Sequence, residues 1–498
     1  MDLFHNLIFG FAVAISLQNL LYCFVGVLVG TLIGVLPGIG PLATIAMLLP
    51  ITYGVGPVAA LIMLAGIYYG AQYGGSTTAI LVNLPGETSS VVTCIDGYQM
   101  ARQGRAGPAL AIAAIGSFFA GTVGTLLIAL FGPPLADVAL KFGAPEYFSL
   151  MLMGLVAAAV LAQGDMVKSL AMVALGLLLG IVGNDVNTGI GRFTFGVNEL
   201  TDGIGFIVVA VGVFAVGEII SNLGDKGERE IFAAKVTSLF PTREDLKRSF
   251  GPILRGTALG AFFGVLPGTG PAVASLSSYL VEKKLADDPS RFGRGAIEGV
   301  AGPEAANNAD AQCKFIPMLT LGLPASGVMA LMLGALTIQG IQPGPEVMAQ
   351  RPELFWGLIA SMWIGNLMLV VLNLPLVGVW VSMLKVPYRL LFPAIMSFSA
   401  IGIYSVNNSA FEIYLAALFG VLGFIWMKLG FNLAPMLLGF VLGPMLEENL
   451  RRAMLMSRGD PFVFVTRPIS LGFMLATVLI LLAITVPVVR RRRHEIAE

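Results

Sequence analysis

Charge is the first shortage. Only 12% of the 498 residues are Asp, Glu, Lys or Arg, about half the 25% usual in soluble domains. The 29 bases balance 29 acids, so no bulk field steers a partner. Scarce, balanced charge with 56% hydrophobic residues and a mean hydropathy of +0.86 excludes a soluble globular protein, a disordered chain and a nucleic-acid binder. Histidine is nearly absent: His5 and His494 stand at the two ends, which removes imidazole from most catalytic and metal-binding roles. The three cysteines, Cys23, Cys94 and Cys313, are isolated and form no CxxC, so each reads as a small core residue. No GxxxxGK[ST] occurs, which argues against an ATP-driven pump. HExxH, GxSxG and GxGD are also missing. Asp287-Asp288 stands alone in a loop without the DDxxD spacing of prenyl transferases. No enzyme reading survives on residues. The N-terminus opens with Asp2 rather than a basic run, so a cleaved signal peptide is not expected.

What the chain does have is apolar length. Long hydrophobic runs recur from about residue 7 to about residue 489. At about 20 residues per span, they predict on the order of twelve transmembrane segments. The 61 glycines suit that class. The longest hydrophilic stretch, Asn222 to Phe250, carries six Lys/Arg and five Asp/Glu. Within it, Thr242-Arg-Glu-Asp245 has the form of a helix N-cap.

This stretch separates two related halves. Residues 30–41 read GTLIGVLPGIGP and residues 260–271 read GAFFGVLPGTGP, identical at eight of twelve positions. A second landmark, Asn83-Leu-Pro85-Gly86, corresponds to Gly322-Leu-Pro324-Ala325, and a third, Gly107-Pro108, to Gly344-Pro345. The positive loops alternate oppositely. In the first half Arg102 and Arg105 follow the second landmark; in the second half Lys283, Lys284, Arg291 and Arg294 follow the first. Since positive loops stay cytoplasmic, the halves are expected to be inverted. The expected organisation is a first membrane repeat over 1–221, a cytoplasmic linker over 222–250, a second repeat over 251–447, and a loop, final helix and basic tail over 448–498. The fold class is an all-α polytopic membrane protein with two inverted-topology repeats and broken or re-entrant helical hairpins. One loop resists this topology: Glu447 to Arg467 should lie outside yet holds Arg451, Arg452, Arg458 and Arg467.

The breaks are where chemistry is expected. Pro37, Gly38, Gly40 and Pro41, and their counterparts at 267–271, would unwind helices and leave backbone groups unpaired, which attract anions at N–H ends and cations at carbonyls. Gly38, Gly40, Gly268 and Gly270 are read as letting backbone approach a ligand, whereas Gly10 and Gly176 are read as ordinary helix glycines. Short polar groups cluster around the second landmark. The candidate substrate-binding set is Gly38, Gly40, Ser76, Thr77, Thr78, Asn83, Gly86, Gly268, Thr269, Gly270, Asn307, Asn308, Pro324 and Ser326. Asn307 and Asp310 are candidates for Na⁺; the alternative for the polar residues is helix packing. Asp310 and Lys314, four apart, are spaced to pair on one helix face. Glu87, Glu218 and Glu412 read more simply as interfacial charges.

The segments GVLPGIGP and GVLPGTGP, YYGAQYGGSTTAILVNLPGE, and EAANNADAQCKFIPMLTLGLPAS resemble the large membrane subunit of the tripartite tricarboxylate transporter family (TctA-like). The resemblance covers nearly the whole chain. It implies a bacterial inner-membrane, ion-coupled importer of carboxylates with no organic cofactor and with Na⁺ or H⁺ as coupling ion. It also implies two partners, a small four-helix membrane subunit (TctB-like) and a periplasmic solute-binding protein (TctC-like). The basic Arg490–Arg493 cluster places the C-terminus in the cytoplasm. The rival reading is a self-sufficient symporter or channel that needs no binding protein.

Overall fold

The structure, a computed structural model, describes residues 3–36, 40–162, 165–185, 188–223, 239–383 and 388–497. In the first half the helices are α1 (Leu3–Ala14), α2 (Leu17–Val35), α3 (Pro41–Thr52), α4 (Pro57–Val82), α5 (Val91–Arg102), α6 (Ala106–Ala139), α7 (Ala144–Leu161) and α8 (Met166–Gly180). After a two-residue hairpin of β1 (Gly183–Asn184) and β2 (Gly191–Arg192) come α9 (Phe206–Ala210), a π-helical stretch Val211–Val216 and α10 (Gly217–Leu223), one continuous rod. The second half holds α11 (Arg243–Val265), α12 (Pro271–Leu285), α13 (Glu298–Cys313), α14 (Phe315–Leu321), α15 (Gly327–Ile338), α16 (Glu346–Gln350), α17 (Pro352–Asn373), α18 (Val377–Met383), α19 (Tyr388–Asn407), α20 (Ala410–Lys428), α21 (Ala434–Met456), α22 (Val463–Thr466) and α23 (Pro468–Ala497).

The surface is that of a membrane protein. On α20 the large apolar side chains Tyr414, Leu418, Val421 and Ile425 lie outside, while Ala416, Gly420 and Gly423 face in. Spacings of four, three and four place them on one stripe. Small residues inward and large apolar ones outward suit a lipid solvent. By length and composition, five helices among the described residues can cross a membrane: α2, α6, α7, α17 and α20. Several other apolar runs are carried by shorter helices, among them α3 and α15 at 12 residues each. Each starts at or just after the end of a repeated motif, which breaks the apolar run on its N-terminal side.

The sequence repeat becomes a repeat of packing. Gly26, Gly30 and Gly34, one helical turn apart on α2, press on α4 so closely that a Cβ would stand 2.4, 2.5 and 2.3 Å from the carbonyl oxygens of Met63, Ile67 and Ala71. Gly256, Gly260 and Gly264 do the same on α11, at 2.2, 2.1 and 2.6 Å from those of Gly302, Ala306 and Asp310 on α13. Only glycine permits such an approach of two helix backbones. The second landmark also repeats in conformation. α4 ends on Asn83 with φ 55°, and α14 ends on Gly322 with φ 67°, both left-handed caps before Leu-Pro. Gly10 and Gly176 are corrected from ordinary helix glycines to close contacts. A Cβ on them would come within 2.4 Å of the Trp356 carbonyl oxygen and 2.0 Å of that of Met436.

Loops sort into two groups by contact. The N-cap expected at Thr242 is present: its hydroxyl accepts from Asp245 N–H at 3.1 Å, and Asp245 accepts from Thr242 N–H at 3.0 Å. Asp245 also pairs with Arg105. Gln103 donates to the Arg294 carbonyl at 2.8 Å, and Asp96 accepts from the N–H groups of Gly293, Gly295 and Ala296 at 2.7–2.9 Å. The positive loops of both halves therefore meet. In the other group, Arg451 binds Asp185 at 2.8 Å and Glu447 at 2.6 Å, Arg192 binds Glu447 at 2.7 Å, and Arg467 binds Glu146 at 2.5 Å. Arg452 pairs with Glu448 as well. The arginines of 447–467 that opposed the expected topology are thus largely matched by acids.

Candidate functional site

Both copies of both motifs open onto one cavity of about 540 Å³. From the first half come the start of α3 (Gly40, Pro41, Leu42), Tyr68 and Gln72 of α4, and the loop Pro85-Gly86-Glu87-Thr88. From the second half come the α11–α12 turn (Gly268 to Pro271) and the start of α15 (Ala325, Ser326, Gly327). Ala158 and Ala162, Glu218 of α10, and Asn432 with the first turn of α21 complete the wall.

Each tip is held in place locally. Gly268 has φ 81°, and a Cβ there would come within 2.4 Å of Ala158 Cα. Conformation and close approach both demand glycine. Its N–H donates to the Ala325 carbonyl at 2.9 Å, joining the first landmark of this half to the second. The Thr269 hydroxyl donates to the carbonyls of Phe263 and Leu266 at 2.6 and 2.8 Å, closing the end of α11. Ser326 caps α15 by accepting from Met329 N–H at 3.4 Å. Gly86 lies across α2, where a Cβ would be 2.0 Å from the Gly34 carbonyl oxygen. At the other tip, Gly40 N–H donates to Glu218 Oε1 at 3.2 Å. Gly40 and Gly270 differ from Gly268: a Cβ on Gly40 would meet only Glu218, at 4.0 Å, and one on Gly270 would meet nothing within 4 Å. Neither takes a positive φ. The protein itself crowds neither position; the space beside each is the cavity.

Among the described residues the wall contains no Lys, Arg or His, and its charged residues are Glu87 and Glu218. Gln72 is fully buried, its Oε1 accepting from the Ser89 hydroxyl at 3.3 Å while Nε2 has no partner. Glu87 takes hydrogen bonds from the Ser89 hydroxyl and from Asn307 Nδ2, the latter at 3.2 Å.

Behind the wall α13 carries a buried polar column. Glu304 accepts from the Ser76 hydroxyl at 2.6 Å and from that of Thr93. Asn308 donates to Ser117 at 2.7 Å. Asp310 and Lys314 form the expected pair, both fully buried. Among the described residues no Lys or Arg forms an ion pair with Glu87, Glu218 or Glu304. Three buried acceptors, Asn307 Oδ1, Asp310 Oδ1 and Gln312 Oε1, have no donor. Uncompensated buried carboxylates and idle oxygens call for a cation or a proton.

Of the expected site residues, Gly40, Gly86, Gly268, Thr269, Gly270 and Ser326 line the cavity. Ser76, Asn307, Asn308 and Asp310 stand behind it in the polar column. Thr77 and Thr78 bond to their own helix, at the carbonyls of Tyr73 and Gly75. Asn83 is an exposed left-handed cap, and Pro324 is buried beside the lining. Neither lines the cavity. Gly38 lies outside the described residues. Glu87 and Glu218 are corrected from interfacial charges to cavity residues. Gln72, one of the polar residues the second landmark supplies, is outside the candidate set, because nothing in a sequence tells a satisfied amide from an unsatisfied one.

Comparison with known proteins agrees with the motifs. Residues 20–438 match the model of the tripartite tricarboxylate transporter TctA family. The chain is 60% identical over 496 residues to an uncharacterized 52.8 kDa protein of Agrobacterium vitis from the TAR-I ttuC′ 3′ region, covering 100% of this chain and 99% of the relative. It is 58% identical over 238 residues to an uncharacterized protein of the same organism from the TAR-II ttuC′ 3′ region, covering 48% of this chain and 98% of the relative. No solved structure matches significantly.

Proposed function

The chain belongs to the tripartite tricarboxylate transporter TctA family, a transporter and not an enzyme family, and from that premise we propose that it is the permease of an ion-coupled carboxylate importer. The carrying observation is that α3 and α12, one from each half, begin at the wall of one cavity. A helix N-terminus offers unpaired N–H groups and a partial positive charge. In a cavity without cationic side chains these ends, with Gln72 Nε2, are the natural receivers of di- or tricarboxylate oxygens.

In this reading the two halves are inverted repeats contributing to about twelve membrane segments, with units 1–221 and 251–447 joined by a cytoplasmic linker. The meeting of the positive loops at Arg105, Asp245 and Arg294 supports one cytoplasmic face, and the Asp185–Arg451 cluster supports the opposite one. The protein resides in the bacterial inner membrane with its C-terminus in the cytoplasm. Coupling ions, Na⁺ by preference, occupy the polar column between Glu87, Asn307, Glu304 and Asp310, where they offset the carboxylates. A small TctB-like subunit and a TctC-like periplasmic binding protein deliver the substrate.

The test is uptake of labelled citrate into membrane vesicles containing the co-expressed partners, with Na⁺ and pH gradients imposed separately. Uptake driven by a Na⁺ gradient and dependent on the binding protein is expected. Uptake independent of the binding protein would favour the self-sufficient symporter. No uptake of any carboxylate under either gradient would refute the reading.

A further inference from the structure

The two helix ends that face the cavity match in build but differ in occupancy. Gly40 has φ −77° and ψ 167°, Gly270 φ −89° and ψ 158°, and each precedes a proline at the first helical position. At α3, Gly40 N–H is already engaged by the Glu218 carboxylate. At α12, among the described residues nothing accepts from Gly270 N–H, and the space beside it is open. A second donor is also idle, the buried Nε2 of Gln72. One end of the cavity is thus open and the other is filled by the protein's own carboxylate.

Glu218 reaches that position from an irregular helix. The π-helical stretch Val211–Val216 directly precedes α10. The wider turn rotates α10 by about 100° relative to an uninterrupted α-helix. The stretch is gripped by α20: a Cβ on Gly212 would stand 2.6 Å from the Ala416 carbonyl oxygen, and one on Gly423 2.8 Å from that of Val213. π segments are uncommon and concentrate at functional sites; here the segment presents a carboxylate to a helix end 178 positions away in the chain.

We propose that Glu218 is a built-in competitor for the substrate carboxylate, a latch on the α3 tip that the incoming acid must displace. This rests on the carboxylate reading of the cavity. A first carboxylate of the substrate takes the open α12 end and Gln72. A second takes Gly40 N–H from Glu218, which frees α10 from α3. The latch lowers apparent affinity, because only the fraction of molecules with Glu218 displaced receives the second carboxylate. It also ties release of the α3 tip to full occupancy.

The experiment measures citrate binding to the purified full-length chain in nanodiscs by calorimetry, for wild type, Glu218→Ala, Glu218→Gln and Gln72→Leu. Removing a competitor tightens binding, whereas a merely structural role would weaken it. Glu218→Ala is expected to bind citrate about five- to tenfold more tightly than wild type, with Glu218→Gln between them, and Gln72→Leu is expected to bind more weakly. Should Glu218→Ala fail to fold, Glu218→Gln alone decides, since it keeps an acceptor for Gly40. If Gln72→Leu weakens binding while the Glu218 variants bind no tighter than wild type, the latch is wrong and the carboxylate site stands. If folded wild type binds citrate no better than chloride and Gln72→Leu changes nothing, the carboxylate reading falls and the latch with it.

Discussion

Consider Gly260→Ala. Gly260 sits at the middle of the α11–α13 seam, where a Cβ would be 2.1 Å from the Ala306 carbonyl oxygen, 2.8 Å from the carbonyl carbon and 2.8 Å from the Ala309 Cβ. Two of the three atoms are backbone and cannot rotate away. Real Cβ atoms essentially never approach closer than 3.0 Å, so the helices must part by about 0.9 Å. Overpacking of this kind costs about 1–3 kcal/mol. The displacement also travels through the end of α11 at Val265 to the Gly268–Gly270 turn in the cavity wall. The natural control is Gly56→Ala, where a Cβ meets nothing within 4 Å. The assay is thermal unfolding in detergent alongside initial uptake normalised to membrane protein level. Gly260→Ala, and its counterpart Gly30→Ala, should unfold at lower temperature and lose most uptake, while Gly56→Ala should match wild type in both. If Gly260→Ala unfolds and transports like Gly56→Ala, the seam is not tight and its role in placing the tip is refuted.

Buried charge and the paired loops give three further expected outcomes. Lys314→Met should destabilise by about 3–5 kcal/mol, because it strands Asp310 in a dry interior, and Lys314→Met with Asp310→Asn should recover much of the loss; thermal unfolding of the two variants checks this. Glu304→Gln keeps hydrogen-bonding atoms for Ser76 and Thr93 but removes a charge, and should raise the Na⁺ concentration for half-maximal uptake about tenfold, with an unchanged value refuting a coupling role. Outside the membrane, burial pushes the Asp245 carboxyl up, but the Thr242 N–H and hydroxyl and the Arg105 guanidinium together hold it below its ordinary value. A lowered folded-state pKa means stability that is present above the ordinary carboxylate range and is lost on acidification. The deficit of Arg105→Ala relative to wild type should therefore be full at neutral pH and shrink as pH falls below about 4, read from unfolding midpoints across pH.

Much of this architecture was legible because backbone constraints leave marks in composition. A proline-glycine break has few uses inside an apolar run, and two copies in order announced two matched tips that do face one cavity. The positive loops of the two halves also come together, at Gln103 and Arg294. What stayed hidden depends on contacts between distant segments. Glu218 looked interfacial because its partner is a backbone N–H 178 residues away. Asn83 looked like a ligand because its amide is polar, but it stands outside the cavity as an exposed cap in the left-handed conformation that Gly322 takes in the other half. Gly10 and Gly176 looked idle because a glycine's necessity lies in what faces it, here the carbonyls of Trp356 and Met436. Thr77 and Thr78 satisfy their own helix, a choice that hydroxyl chemistry leaves open until the neighbours are known.

The helix α21 begins in the cavity wall at Ala434, Pro435 and Leu438 and reaches the charged cluster at Glu447 and Arg451, a rod of 23 residues or about 34 Å. Pro444 interrupts it between those ends. Lacking an N–H, it leaves the Phe440 carbonyl without its donor four residues on, and bending there is cheapest. The rod is thus one helix with a single weakened point between its two ends. One helix therefore carries both a stretch of the cavity wall and Arg451, which holds Asp185 and Glu447. If an occupant of the cavity shifts the first turn, the same helix carries the shift toward the Arg451 cluster, and linkage makes any such coupling equal in both directions.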